Sequence, residues 1–333
     1  MRPRLLDLLA CPRCQGSLSL SAPSPAAGVL TGALACRCGS QYSIEHGIPR
    51  LLAESDQTPA GFRRLQERTR ASFGYQWTAF ADMVERFRED FLNYTGMPPE
   101  FFRGKTGLDA GCGFGRHLFY AASMGAEMVG MDFSAAADQA WRNVEGLPNA
   151  HVIQGDIFRP PLRHQAFDFV YSLGVLHHLP DPERGFQALL PLLKPGGAVL
   201  VWLYSRSRRW SNALAEATRR VTTQLPARGV RALALFAAVT DWVGFIGPYK
   251  MAQRTPLRTL ADRWMFSRIK LYAGYPFQVS YADWFDRLAA PIRFYYDEDE
   301  LRGWAERAKL QRVRVSATGR YGLRLYGEVA GKG

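Results

Sequence analysis

Only five of the 333 residues are cysteine, which excludes a disulfide-stapled secreted scaffold. Internal repeats and low-complexity tracts are missing too, so solenoids and fibrous chains are excluded. The opening MRPRLLDLLACPRC lacks the longer apolar core of a secretory signal, and the expectation is a cytoplasmic protein. Long apolar runs are equally scarce. The longest, Val230 to Pro248, is broken by Arg231 and Asp241 and falls short of the roughly 20 clean residues that a spanning helix needs. It reads as a buried or interfacial helix, with no transmembrane segment expected. Nor is there a dense basic run of the kind that makes a nucleic-acid-binding arm.

The composition that remains, 47% hydrophobic and 22% charged, belongs to an ordinary globular protein. The length suits one catalytic domain with something smaller attached. A net charge of +12 attracts anions, whether nucleic acid, anionic lipid or an acidic small molecule, without choosing among them.

The cysteines are clustered. Cys11 and Cys14 form a CxxC, Cys36 and Cys38 a CxC, and only Cys112 stands elsewhere. Two close thiol pairs on tight knuckles can reach one tetrahedral Zn²⁺, and a ribbon of this size has too small a core to fold comfortably without a staple. Four protein ligands leave no open position, so the metal's role would be structural. The run LLDLLACPRCQGSLSL with LACRCGSQYSIEHGIPRLL resembles the small zinc ribbon found ahead of some bacterial methyltransferases and in the tRNA-methyltransferase activator family, over about residues 5 to 52. The second knuckle in such ribbons is usually CxxC, so Cys38 and His46 both stand as fourth ligand. A metal-free version of the ribbon also stays open.

Downstream, TGLDAGCGFGRHLFYAASMGAEMVGMDFS reads as a strand ending at Asp109, a glycine-rich turn, a helix from about Arg116 to Met124, and a second strand ending at Asp132. That is the first βαβ unit of an open parallel sheet, whose ligands sit at the carboxyl ends of the strands. Gly111, Gly113 and Gly115 alternate as GxGxG, one position short of the dinucleotide GxGxxG. Alternating glycines let the backbone approach a ligand that has no pyrophosphate to rest on the helix. Asp132 is placed to accept from two ribose hydroxyls. Taken singly, each of these residues has a bland reading: a tight turn for the glycines, a helix cap for Asp109 and Asp132, a loop closure for Asp156.

LDAGCGFGRH, VGMDFS, VIQGDIFRPPL, FDFVYSLGVLHHLPDP and LLKPGGAVLVWLYS occur in order, and over residues 105 to 204 the chain resembles the class I methyltransferases of the type 11 group. The resemblance implies S-adenosylmethionine as cofactor. Asp109 and the Gly111 to Gly115 loop would hold its methionine end and Asp132 its ribose. Asp156 and Ile157 would frame adenine, and Ser172 and Leu173 would face the sulfonium. Tyr75 and Trp77, in FGYQWT, would cap the methionine end as a lid. His177 and His178 stand where the methyl group should point, so one of them is the candidate base; bracing the loop is the other role open to them.

After a fifth strand ending near Ser205, residues 206 to 292 form an insertion too long for a connection. It begins with seven arginines between Arg206 and Arg231 and turns apolar and aromatic. A solvated arginine face backed by ordinary core is the plain reading; an amphipathic anion or a membrane surface is the other partner it suits. A helix at DEDELRGWAERAKL and a hairpin of QRVRVSAT and LRLYGEVA close the chain. The expected fold is α/β: a Rossmann-like, doubly wound, seven-stranded sheet with a closing hairpin, a zinc ribbon and a helical cap. The expected division is ribbon 1–54, linker and helical segment 55–104, methyltransferase domain 105–205 with 293–333, and substrate cap 206–292. The expected activity is methyl transfer to a small molecule. An rRNA or tRNA methyltransferase and a non-catalytic binding protein are the alternatives, and no (D/N)PPY-type motif supports the first.

Overall fold

The computed structural model describes residues 1–21, 29–53, 59–207, 209–319 and 321–331. The linker expected over Ser55–Ala60 falls mostly on residues 54–58, outside the described residues. In chain order the front holds α1 (Pro3–Leu6), β1 (Leu18–Leu20), β2 (Gly32–Cys36), β3 (Gln41–Glu45) and β4 (Ile48–Leu51), followed by α2 (Ala60–Ala79) and α3 (Phe87–Thr95). The central elements are β5 (Thr106–Ala110), α4 (Arg116–Ser123), β6 (Glu127–Asp132), α5 (Ala136–Val144), β7 (Ala150–Gly155), β8 (Phe167–Leu173), α6 (Pro182–Leu189) and β9 (Leu193–Tyr204). Among the described residues the insertion holds the α-helices α7 (Arg209–Thr222), α8 (Ala227–Asp241), α9 (Gly247–Ala252), α10 (Arg258–Trp264), α11 (Ser267–Tyr272) and α12 (Phe277–Ala289). The chain closes with α13 (Glu298–Arg307), β10 (Gln311–Thr318) and β11 (Gly322–Glu328).

Strands β7, β6, β5, β8 and β9 lie parallel in that order, and antiparallel β11 separates β9 from β10. The result is a mixed, Rossmann-like sheet. Parallel strands are covered on both faces, which is why Ala198–Leu203 of β9 reads as an unbroken apolar run and why β7, although it carries His151 and Gln154, is buried along its length. Chain direction reverses its spatial progress between β5 and β8, so the crevice for a ligand opens at their carboxyl ends. Local signals set the flanking helices. Asp297 and Glu300 form a reciprocal capping box at α13, and Asp181 caps α6 ahead of Pro182.

Among the described residues the sheet runs to eleven strands, against the seven expected, because β4 of the ribbon pairs in parallel with β7, Arg50 facing Gln154 and Leu51 facing Gly155. Arg50 then grips Asp138 of α5 through both guanidinium nitrogens, 3.0 and 2.5 Å. Ribbon side chains Leu9, Leu34, Ile44 and Leu51 share one apolar cluster with Val129, Ile153 and Leu162.

The chain divides into two compact units. One comprises residues 1–83, 87–207 and 292–333, and the other residues 84–86 and 208–291. In the second unit α8, a π turn at Trp242–Ile246 and α9 join as one helix, Ala227–Ala252. This corrects the expectation that the stretch is too short and too interrupted. Gly247 donates to the Trp242 carbonyl five residues back, so the π turn admits Pro248 without ending the helix. By length and composition alone, it is the one helix among the described residues able to cross a membrane.

Candidate cofactor site and cysteine cluster

Strand β5 delivers Asp109 to the start of the glycine turn, where it is buried with its Oδ2 lacking a hydrogen-bond partner among the described residues. Burial, with the Asp132 charge adding to it, pushes the Asp109 carboxyl up to about 8. Gly111 and Gly113 have φ of +89° and +53°, left-handed backbone that glycine adopts without strain. A Cβ on Gly111 would lie 2.5 Å from Val175, and one on Gly113 3.3 Å from the Trp77 ring. The cradle is therefore glycine-only on two counts, conformation and space.

Asp132 ends β6 and locks this turn. Its Oδ2 accepts from Gly113 N at 2.9 Å, and its Oδ1 accepts from Ser134 N and Oγ at 2.8 and 2.6 Å. After β7, Asp156 accepts from Phe158 N at 2.9 Å and from Gln66 Nε2 at 2.8 Å, beside buried Ile157. Burial raises both carboxyls above their usual range.

Helix α2 crosses all three strand ends. Phe62 packs edge-on to Phe158, Gln66 reaches Asp156, and the Arg70 guanidinium stands 5.1 Å over Phe133. Gly74 meets Ser134 so closely that a Cβ would come within 3.2 Å of the serine Cβ, and Trp77 rests on Gly113. These contacts recur about every four residues, one face of a helix. Tyr75 stands on the same helix, half-buried.

Residues 108–201 match the family described as "Methyltransferase domain". The chain carries an S-adenosylmethionine-dependent methyltransferase domain. The ubiquinone biosynthesis O-methyltransferase of Photorhabdus laumondii is 29% identical over 171 residues, 50% of this chain and 68% of that one. A tRNA U34 carboxymethyltransferase of Idiomarina loihiensis is 34% identical over 104 residues, 29% of this chain and 32% of that one. The chain spans 29% of the length of one curated relative, from Synechococcus, and 36% of another, from Streptomyces fradiae. Among solved structures, an S-adenosylmethionine-dependent methyltransferase from Aquifex aeolicus is similar with TM-score 0.44 and 17% identity, covering 77% of this chain and 98% of that one.

Near the carboxyl end of β8, Ser172 is fully buried and gives its hydroxyl to the Ala110 carbonyl at 2.8 Å. It ties β8 to β5 rather than offering its hydroxyl to a ligand; Leu173 is buried beside it. The two histidines differ. His178 has Nδ1 2.7 Å from the Ile292 carbonyl, so that nitrogen donates its N–H there. His177 is fully buried, stacks 4.1 Å from Tyr204, and has neither ring nitrogen hydrogen-bonded among the described residues. Burial, then the neighbouring His178 and Arg293, hold it well below the usual histidine range and keep it neutral.

The four ribbon thiols converge. Cys11 and Cys38 are 3.8 Å apart, Cys14 and Cys36 3.5 Å, and all four sulfurs lie within 4.8 Å of one another. Thiolates about 2.3 Å from a tetrahedral zinc would stand about 3.8 Å apart, so the set fits one metal ion. Cys38 completes the group, and His46 stands outside it, exposed in the turn between β3 and β4.

Three contributors escaped the sequence reading: Gln66, Ser134 and Gln154, whose amide donates to the Phe133 and Ser134 carbonyls behind Asp132. The helical spacing of Phe62, Gln66, Arg70, Gly74 and Trp77 was the available signal for the first.

Proposed function

We propose that the chain is a cytoplasmic enzyme that methylates a small-molecule acceptor, an amphipathic or anionic molecule among the candidates. The observation that carries this reading is α2 laid across the glycine turn, Asp132 and Asp156, next to an Asp109 carboxyl with one oxygen unpaired. That oxygen suits the ammonium of a methionine moiety. Gly111, Gly113 and Gly115 would line it, Asp132 would take the ribose, and Asp156 with Ile157 the adenine. Leu173 and the committed Ser172 would shape the sulfonium end, with Trp77 and Tyr75 above.

S-adenosylmethionine, when bound, supplies an electrophilic methyl group that needs alignment more than covalent help. The protein's own task is therefore to position and to keep water out. His178, its proton held at Nδ1 by Ile292, presents Nε2 as acceptor for the proton of a hydroxyl or amine acceptor. His177 braces the site as a neutral ring against Tyr204. Residues 206–292 would serve as the substrate cap, the seven strands β5 to β11 as the methyltransferase sheet, and zinc in the cysteine cluster as a structural staple.

Screening small-molecule acceptors against the wild type and His178→Gln tests this. The expected result is turnover on a hydroxyl or amine, reduced about 100-fold in kcat by the variant with cofactor affinity intact. Tight cofactor binding without turnover on any acceptor would overturn it. The tRNA-modifying relative and the +12 charge favour one second reading, an RNA acceptor. Methylation of RNA in place of small molecules, with RNA affinity falling steeply in salt, would decide for it.

A further inference from the structure

The second unit carries most of what is unusual about the molecule's surface. Residues 208–291, a quarter of the chain, hold 13 Lys and Arg against 5 Asp and Glu, a net of +8 out of +12. They also hold 14 of the 16 large apolar side chains that stand exposed among the described residues. Exposed apolar side chains scattered singly need no explanation, but this concentration does.

The long helix shows how the surface is built. Val230, Ala234, Ala238, Ile246 and Tyr249 are buried, one stripe at helical spacing, and Arg231 of α8 meets Tyr281 of α12 at 3.2 Å. Phe236, Val239 and Val243 point the opposite way and are exposed. A helix apolar on both faces belongs inside a core or against lipid, and here the outer face stands exposed. After it, the chain from Met251 to Phe266 interleaves exposed Leu257, Leu260, Trp264 and Phe266 with exposed Arg254, Arg258 and Arg263, opposed in that segment by a single acid, Asp262. Apolar and aromatic side chains mixed with arginine are the composition of a segment that lies at a lipid headgroup boundary.

We infer that residues 227–266 dock the protein onto an anionic phospholipid surface, with α8 lying in the interface plane. Spanning is disfavoured by the inner face of the same helix. Asp241 is paired with Arg268 and accepts from Trp284 Nε1 at 2.7 Å, so insertion would break a half-buried ion pair and strip the helix from its own unit. Arginine on the rim supplies attraction to anionic headgroups, and the exposed phenylalanine, valine and tryptophan supply the apolar contact. The inference stands independently of the methyltransferase reading.

The test is co-sedimentation of the full chain with vesicles of phosphatidylglycerol and phosphatidylcholine, against vesicles of phosphatidylcholine alone. Binding to the anionic vesicles is expected to be at least about tenfold stronger, and to weaken in about 1 M salt, where the Debye length falls to about 3 Å. Phe236→Ser with Val243→Ser, and separately Arg254→Glu with Arg258→Glu, are each expected to reduce it about tenfold or more with an unchanged melting temperature. An alkaline carbonate wash should release the bound protein. Wild type left in the supernatant with both vesicles would overturn the inference. So would retention through the carbonate wash, which marks a spanning helix. A dimer on size exclusion, dissolved by the Phe236 and Val243 substitutions in a protein that ignores vesicles, would assign the face to a second copy instead.

Discussion

Residues 1–53 and 208–291 are both additions to one methyltransferase sheet; the first shares its interior, and the second has a core cluster within itself. Ribbon residues Leu9, Ile44 and Leu51 pack in the same cluster as Val129 and Ile153 of the sheet, and β4 extends the sheet itself. Ile246, Tyr249 and Ile269 of the insertion form a cluster of their own. A region joined by backbone pairing and a common core should stand or fall with the domain it extends. A region with its own core should be separable from it.

The largest effect should come from the ribbon. Ala10 N donates to the Pro161 carbonyl at 3.0 Å, Gln15 Nε2 to the Pro160 carbonyl at 3.2 Å, and Arg163 N to the Leu8 carbonyl at 2.9 Å, all on the loop that follows Asp156 and Ile157. Chelating zinc from protein loaded with it, or substituting Cys14→Ser, is therefore expected to lower the melting temperature of the core and to weaken S-adenosylmethionine binding by about tenfold or more. Calorimetry reads both, and an unchanged affinity would break the comparison.

Next come paired core truncations. Ile44→Ala and Ile246→Ala each remove a fully buried side chain and should cost about 2–5 kcal/mol. Differential scanning calorimetry should show the first lowering the transition that carries the cofactor site, and the second lowering a separate one. A single shared transition shifted by both would contradict two independent units. A smaller effect is expected from excision. Ser205 bridges Tyr296 and Arg206 N donates to the Tyr296 carbonyl at 2.7 Å, so the chain leaves and re-enters the sheet unit at neighbouring points. Replacing 208–291 with a short glycine-serine linker should leave cofactor affinity within about threefold. The smallest belongs to Phe236→Ser, an exposed side chain whose loss should move stability by less than about 0.5 kcal/mol.

What could be read from the sequence follows the range of the interaction. The glycine turn, Asp109 and Asp132 were legible because β5, the turn and β6 are contiguous and the constraint is local backbone geometry. The thiol cluster was legible for the same reason, two knuckles on one hairpin. The pairing of β4 with β7 was not, since nothing in IPRL announces a partner some hundred residues away. The face that α2 lays on the strand ends was not legible either, because it meets loops 36 to 96 residues downstream and uses glutamine, arginine and glycine rather than aliphatics. The π turn hid behind Pro248, which ends most helices by rule. Ser172 was placed at the right strand end, with its hydroxyl turned to a backbone carbonyl that no pattern shows.

The central claim is that this strand-end site binds S-adenosylmethionine through Asp109 and Asp132, and calorimetric titration tests it most directly. With its midpoint at about 8, the free Asp109 carboxyl is about nine-tenths protonated at pH 7, and pairing with an ammonium would require it to ionise. At about pH 7 and below binding should therefore release close to one proton, falling to about half a proton near pH 8, seen as a dependence of the heat on buffer ionisation enthalpy, and affinity should rise with pH up to about 8. Asp109→Asn should abolish the proton release, and Asp132→Ala should abolish micromolar binding. A folded wild-type protein that binds neither S-adenosylmethionine nor S-adenosylhomocysteine, or binds them equally well without Asp132, would contradict the account.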